Sequence, residues 1–118
     1  IESLHTGDGA IHVVDVRNEG AIPNLPADTV VELSAKITAD GATPLATEPL
    51  ANEMLGLVQH VKAYERLAIE AALSGEDEIM FRALLANPLV PGADAAVGLR
   101  DALLEANLRY LPRFAART

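Results

Sequence analysis

Cysteine and tryptophan are both absent from this chain. The lack of cysteine excludes disulfides and thiolate metal sites from these residues, and it suits a cytosolic protein as well as many secreted ones. Basic residues are scarce: nine Lys and Arg stand against seventeen Asp and Glu, a formal charge of −8. A surface that neutralises phosphate backbones or anionic lipid is disfavoured, so neither nucleic acid nor membrane is an expected partner. No apolar run approaches the roughly 18 residues of a membrane span, and no basic segment leads into an apolar signal core. Aromatics make up only 3%, so the interior has to be filled by Ala, Leu, Val and Ile. Half of the residues are hydrophobic, which is enough for one sizeable core and one domain over residues 1–118.

The pattern along the chain is strands first and helices after, an α+β layout of short antiparallel strands followed by three helices. Ile1 and Leu4 share a helical face and no Met precedes them, so residues 1–6 read as the tail of a helix whose body lies upstream. On that reading the chain is a piece of a longer protein. Gly7 is expected to cap this helix, and Asp8-Gly9 to turn the chain into a strand, Ile11–Val16. Poor alternation in that run predicts a strand covered on both faces. Val30–Thr38 alternates cleanly and predicts a half-exposed strand, with Val31, Leu33, Ala35 and Ile37 inward. Asp40-Gly41 turns it into a short hairpin partner, Thr43–Leu45. Thr47 is the expected N-cap of a helix with Pro49 in its first turn, running to Gly75. Its apolar face is wide enough to suggest burial on more than one side. A second helix spans Ile79–Ala86, and a third, capped by Asp94, runs from about Ala95 to Leu111.

Chemistry is to be sought between the first two strands. Asn18-Glu19-Gly20-Ala21-Ile22-Pro23-Asn24 holds two short amides and a glycine, which suits presenting backbone N–H groups and the side chains of Asn18 and Asn24 to a polar ligand, with Gly20 permitting close approach. Equally, it suits an ordinary connection in which each Asn caps its own backbone. His5, His12 and His60 have no helical-spaced metal partner, and Asp15 is on the opposite strand face from His12. Lys62 and Arg66 stand one turn apart, but Glu65 offsets them as on a solvated helix face. Neither a phosphate loop, a nucleophile elbow nor a Ser/His/Asp arrangement is visible.

Asn18-x-Gly20-Ala21-Ile22-x-x-Leu25, followed by Asp28-x-Val30-Val31-Glu32-Leu33, resembles the C-terminal part of family-4 glycoside hydrolases, nearest their 6-phospho-β-glucosidase branch. Thr43-Pro44-Leu45 and Pro49-Leu50 are similar to that family's linker, and Leu57-Val58-Gln59-His60-Val61-Lys62-Ala63-Tyr64-Glu65-Arg66 to its long helix. Glu70-Ala71-Ala72, Gly75-Glu76, Asn87-Pro88-Leu89-Val90, Leu103-Leu104-Glu105-Ala106-Asn107 and Tyr110-Leu111-Pro112-x-Phe114 follow in the same order.

The resemblance implies the fold of the C-terminal domain of lactate and malate dehydrogenases, and a cytoplasmic, homo-oligomeric parent enzyme acting on a sugar or sugar-phosphate. It implies NAD on a Rossmann domain and a divalent metal, manganese, on a Cys and a His, all upstream of Ile1. Hydrolysis there proceeds by oxidation at C3, loss of the C2 proton to a Tyr also upstream, elimination, and addition of water. No catalytic, cofactor or metal residue is therefore expected in this fragment, which would be inactive alone. Asn18, Gly20 and Asn24 are the expected substrate-binding residues. One position departs: Asp8-Gly9-Ala10 stands where members that grip a 6-phosphate often have a basic residue. A free-standing, non-catalytic oligomerisation module derived from such a domain is the alternative.

Overall fold

The computed structural model describes residues 1–115; residues 116–118, at the end of the expected domain, lie outside them. The chain divides into two compact units, Ile1–Leu55 and Gly56–Thr118.

The first unit holds helix α1 (Glu2–Thr6) and strands β1 (Ile11–Arg17), β2 (Val30–Thr38) and β3 (Gly41–Pro44). Gly7 ends α1 in the left-handed region, φ 67°, and its N–H donates to Ser3 O, as the sequence predicts. The three strands form one antiparallel sheet in the order β1-β2-β3, with Val14 opposite Leu33, Val16 opposite Val31, and Ala35 opposite Pro44. Val31, Leu33, Ala35 and Ile37 are buried along β2 while Val30, Glu32, Ser34 and Lys36 are exposed. The period-2 signal is thus the burial pattern itself. Ala21, Ile22 and Leu25, from the β1–β2 connection, complete this core.

The expectation that β1 is covered on both faces is overturned. Ile11 and Val13 are 63% and 64% exposed, while Val14 and Val16 are half-buried beside Leu33 and Val31. The sheet order places β1 at an edge, and its apolar residues on both sides reflect one face packed and one bare. A second correction concerns the entry to the long helix. α2 runs Asn52–Ser74, starting five residues after the expected cap, because Thr47 spends its groups elsewhere: its N–H donates to Ala21 O and its hydroxyl bonds to Ala21 O and Glu48 O.

The second unit is helical. Beyond the body of α2 it holds α3 (Asp77–Ala86), α4 (Ala93–Asn107), a 3₁₀ turn (Leu108–Tyr110) and α5 (Pro112–Ala115). Gly75 ends α2 with φ 70° and donates to Ala71 O. Gly92, in place of Asp94, stands at the start of α4, and Asp94 lies in its first turn, where a carboxylate still complements the helix dipole. Helices α3 and α4 pack together, and Ala71, Ala83, Leu84, Ala96 and Phe114 form the buried core. Along α2 only Ala71 is buried, whereas Met54, Leu57, Ile69 and Leu73 are all more than half exposed. Among the described residues, no helix is long and apolar enough to cross a membrane.

Candidate functional site

The β1–β2 connection is a braced loop. Beyond the last ladder pair, Asn18 N–H donates to Thr29 O at 2.8 Å and Glu19 N–H to Ala27 O at 2.9 Å, so the two strands stay zipped into the loop. Ala21 N–H then donates back to Asn18 O at 2.8 Å, closing a tight turn whose central residues have φ 47° (Glu19) and 89° (Gly20). Two consecutive positive φ values are the geometry of a type I′ turn, which Gly adopts freely and Glu does not.

Asn18 is fully buried, and its side chain is the largest such group in the described chain. Its Oδ1 accepts from Ile22 N–H at 2.7 Å, and its Nδ2 donates to Ile22 O, Leu25 O and Pro26 O at 3.0, 3.1 and 3.2 Å. An amide nitrogen has two hydrogens, so three carbonyls share them. The orientation of the amide is fixed by this set, since a flip would set Nδ2 against an N–H and Oδ1 against three carbonyls. Asn24 does the same at longer range: its Oδ1 accepts from Leu50 N–H at 3.0 Å and its Nδ2 donates to Leu50 O at 2.9 Å. With the Thr47–Ala21 bonds, this ties the loop to the segment that leads into α2.

The structure therefore brings Asn18, Gly20 and Asn24 into one loop but turns both amides inward, onto backbone groups. Gly20 alone faces outward. It is exposed, and no atom lies within 4 Å of where a Cβ would stand, so a ligand could approach its backbone. Glu19 shares that tip; its positive φ is a structural signal with no counterpart in its residue type.

A second polar group joins α1 to β1. Ser3 Oγ lies 2.9 Å from His12 Nε2 and 3.4 Å from Asp8 Oδ2, an association of Ser, His and Asp that the sequence spacing hides. The order is not that of a proton relay, because the carboxylate reaches the serine instead of the imidazole, and Ser3 is itself buried. The Asp8 carboxyl is held below its ordinary pKa, first by the hydrogen bond from Ala10 N–H at 2.9 Å. The arrangement fastens the α1–β1 turn. Elsewhere, Lys62 is engaged by Glu65 at 2.7 Å, as on an ordinary helix face. The described residues contain no cluster of three or more His, Asp or Glu able to hold a metal. An apolar cleft of about 220 Å³ in the helical unit, lined by Tyr64, Ala68, Met80, Leu84, Leu103 and Phe114 among others, offers little for polar chemistry.

Comparison with known proteins decides the family. The profile of the Family 4 glycosyl hydrolase C-terminal domain matches residues 1–90. The chain belongs to this family. It is 39% identical over 114 residues to a probable 6-phospho-beta-glucosidase of Bacillus subtilis, covering 97% of this chain and 26% of the relative. The 6-phospho-beta-glucosidase of Thermotoga maritima, solved with NAD and glucose-6-phosphate, superposes with a TM-score of 0.86 at 38% identity, covering 92% of this chain and 27% of that one. A 6-phospho-alpha-glucosidase from gut microorganisms, in complex with NAD and glucose-6-phosphate, gives a TM-score of 0.90 at 33% identity over 94% of this chain and 25% of that one. The chain thus spans about a quarter of the length of these family 4 relatives. Similarity at this level extends to enzymes of both anomeric classes.

Proposed function

We propose that this chain is the C-terminal domain of an NAD- and manganese-dependent 6-phosphoglycosidase, working in the cytoplasm, where NAD and sugar phosphates are held. The observation that carries this reading is a family 4 match along nearly the whole chain to enzymes whose structures hold NAD, Mn2+ and glucose-6-phosphate. On this reading neither group is held by residues of this chain alone. No glycine-rich strand-turn-helix for a dinucleotide occurs in the sequence, and no metal cluster occurs among the described residues. Both groups belong, on this reading, to the remaining three-quarters of such an enzyme, and no catalytic step is assigned to residues 1–118.

The domain's share is to bind and to assemble. Its β1–β2 loop would form part of the wall of the sugar site, with Gly20 and Glu19 outward and Asn18 and Asn24 acting as positioning residues that hold the tip. The exposed apolar residues Leu57, Ile69 and Leu73 of α2 support a homo-oligomer, since large side chains of this kind commonly find a partner surface.

The test is hydrolysis of p-nitrophenyl glucoside 6-phosphates, both anomers, by the full-length protein with NAD, Mn2+ and a reductant. Cleavage of one anomer that is lost on chelation supports the reading, and no cleavage of either under any of these conditions overturns it. The 118-residue chain alone should give no turnover. Light scattering of full-length Leu57→Glu against wild type reads the assembly: a folded protein of smaller mass is expected, and an unchanged mass places Leu57 outside any interface.

A further inference from the structure

Glu19 is the one non-glycine residue among those described with a positive φ, 47°. A Cβ makes that conformation unfavourable, and for a long side chain without a local backbone bond, unlike Asn or Asp, nothing compensates. The turn would close as well, and with less strain, around Gly-Gly or Asn-Gly. The Glu19 side chain is exposed and makes no hydrogen bond or ion pair with the described residues, while its own N–H is committed to Ala27 O. Beside it, Gly20 opens onto free space. Beneath it, the turn is fixed by the four bonds of the buried Asn18 side chain and the Asn24–Leu50 and Thr47–Ala21 ties. The fold thus holds a strained residue rigidly and leaves its carboxylate unused within the domain. Residues held in this way concentrate where they contact something else.

We propose that Glu19 is a specificity-determining residue of the glycosidase reading above, on which this inference rests: its carboxylate accepts hydrogen bonds from hydroxyl groups of the substrate's neutral sugar ring. A carboxylate is acceptor-only and pairs with two adjacent hydroxyls, whereas it repels a phosphate. The Glu19–Gly20 tip therefore takes the hydroxyl-bearing portion of the substrate, and any phosphate is held away from it.

The experiment compares Glu19→Gly and Glu19→Gln with wild type in the full-length enzyme, using a p-nitrophenyl glucoside 6-phosphate and its unphosphorylated counterpart. Binding through the carboxylate predicts that KM for each cleaved substrate rises roughly tenfold or more in Glu19→Gly, kcat changing little, because a hydrogen bond to a charged group present in ground and transition states alike is lost. Glu19→Gln keeps an acceptor oxygen and should lose less. The melting temperature of Glu19→Gly should be equal to or above that of wild type, since the strain is relieved. Unchanged KM in both variants overturns the proposal and leaves Glu19 a solvated turn residue. Where both substrates are cleaved, a KM change confined to the phosphorylated one also overturns it, by placing the phosphate at Glu19. So does a loss that tracks a lowered melting temperature. Wild-type enzyme inactive on every glycoside overturns the functional reading itself, a result separable from the other three.

Discussion

Replacing Asn18 by Ala removes the brace from the β1–β2 loop, and the cost can be worked from its bonds. Oδ1 satisfies one buried N–H, and the two hydrogens of Nδ2 serve three carbonyls, the equivalent of three hydrogen bonds. At about 1 kcal/mol net for each, the loss is about 3 kcal/mol. Leaving the buried Ile22 N–H without its partner keeps the figure from falling much below that. Set against a total of roughly 5–15 kcal/mol for a domain, this is a large fraction. For a chain of this length it corresponds to a fall in melting temperature of about 12 °C. Circular dichroism at 222 nm, followed through thermal and urea unfolding of the full chain, measures it. Asn24→Ala in parallel should cost less, about 1–2 kcal/mol, because its two bonds to Leu50 are only part-buried and water can take them over. Asn18→Asp gives a further check. A carboxylate still accepts from Ile22 N–H but faces three carbonyls with no hydrogen to offer, so its deficit should shrink as pH falls and the acid becomes a donor. A cost below about 1 kcal/mol for Asn18→Ala, or one equal to that of Asn24→Ala, would refute the argument.

Thr29 is 5% exposed and its hydroxyl has no hydrogen-bond partner among the described residues. Thr29→Val, which keeps the shape and removes the stranded group, should raise stability by about 1 kcal/mol in the same urea titration. Gly75→Ala should cost more than Gly20→Ala. Both positions have positive φ, but a Cβ at Gly75 would stand 2.5 Å from Arg113 O, whereas at Gly20 nothing lies within 4 Å. Thermal melts should separate them, with about 1 kcal/mol for Gly20 and at least twice that for Gly75. Asp8 titrates below its ordinary value because Ala10 N–H, and then Ser3, bond to its charged form. Its contribution to stability is therefore in place above about pH 3.9, and is lost as pH falls through the lower folded value. Carboxyl NMR shifts should place the Asp8 midpoint below that of a free Asp, and Asp8→Asn should remove its share of the acid-side loss of stability.

Those parts of the fold that depend on local periodicity were legible in the sequence. The alternation of Val31, Leu33, Ala35 and Ile37 states which face of β2 is buried, and Gly7 and Gly75 mark helix ends because the left-handed caps they form are local events. What failed depended on distant partners. Thr47 has the residue type of an N-cap, but Ala21, 26 positions away, takes both its N–H and its hydroxyl. The run Ile11–Val16 is apolar on both sides, but its place at the sheet edge follows from β2 pairing with β3 on the other side, which no pattern inside β1 records. The Ser3–His12 contact likewise needs the turn between α1 and β1 to fold back before two unrelated positions meet.

In the candidate loop, the sequence shows which amides are present but not the direction of their side chains. Asn is equally able to face a ligand or to satisfy the backbone, so residue type alone leaves the question open. The deciding signal lies in the neighbours. Ala21 and Ile22 sit between the two asparagines and Leu25 directly follows the second, and all three are buried. A connection that carries three apolar residues folds over a core, and its carbonyls then leave water with it. Every buried carbonyl needs a donor, and Pro23 and Pro26 bring none of their own. Backbone N–H groups reach two of these carbonyls, Leu25 N–H donating to Ile22 O and Thr29 N–H to Pro26 O at 3.2 Å each, and the Asn18 amide adds a donor to Ile22, Leu25 and Pro26 at once. Amides interleaved with apolar residues are thus better read as internal braces, a duty that the exposed side chain of Glu19 does not share.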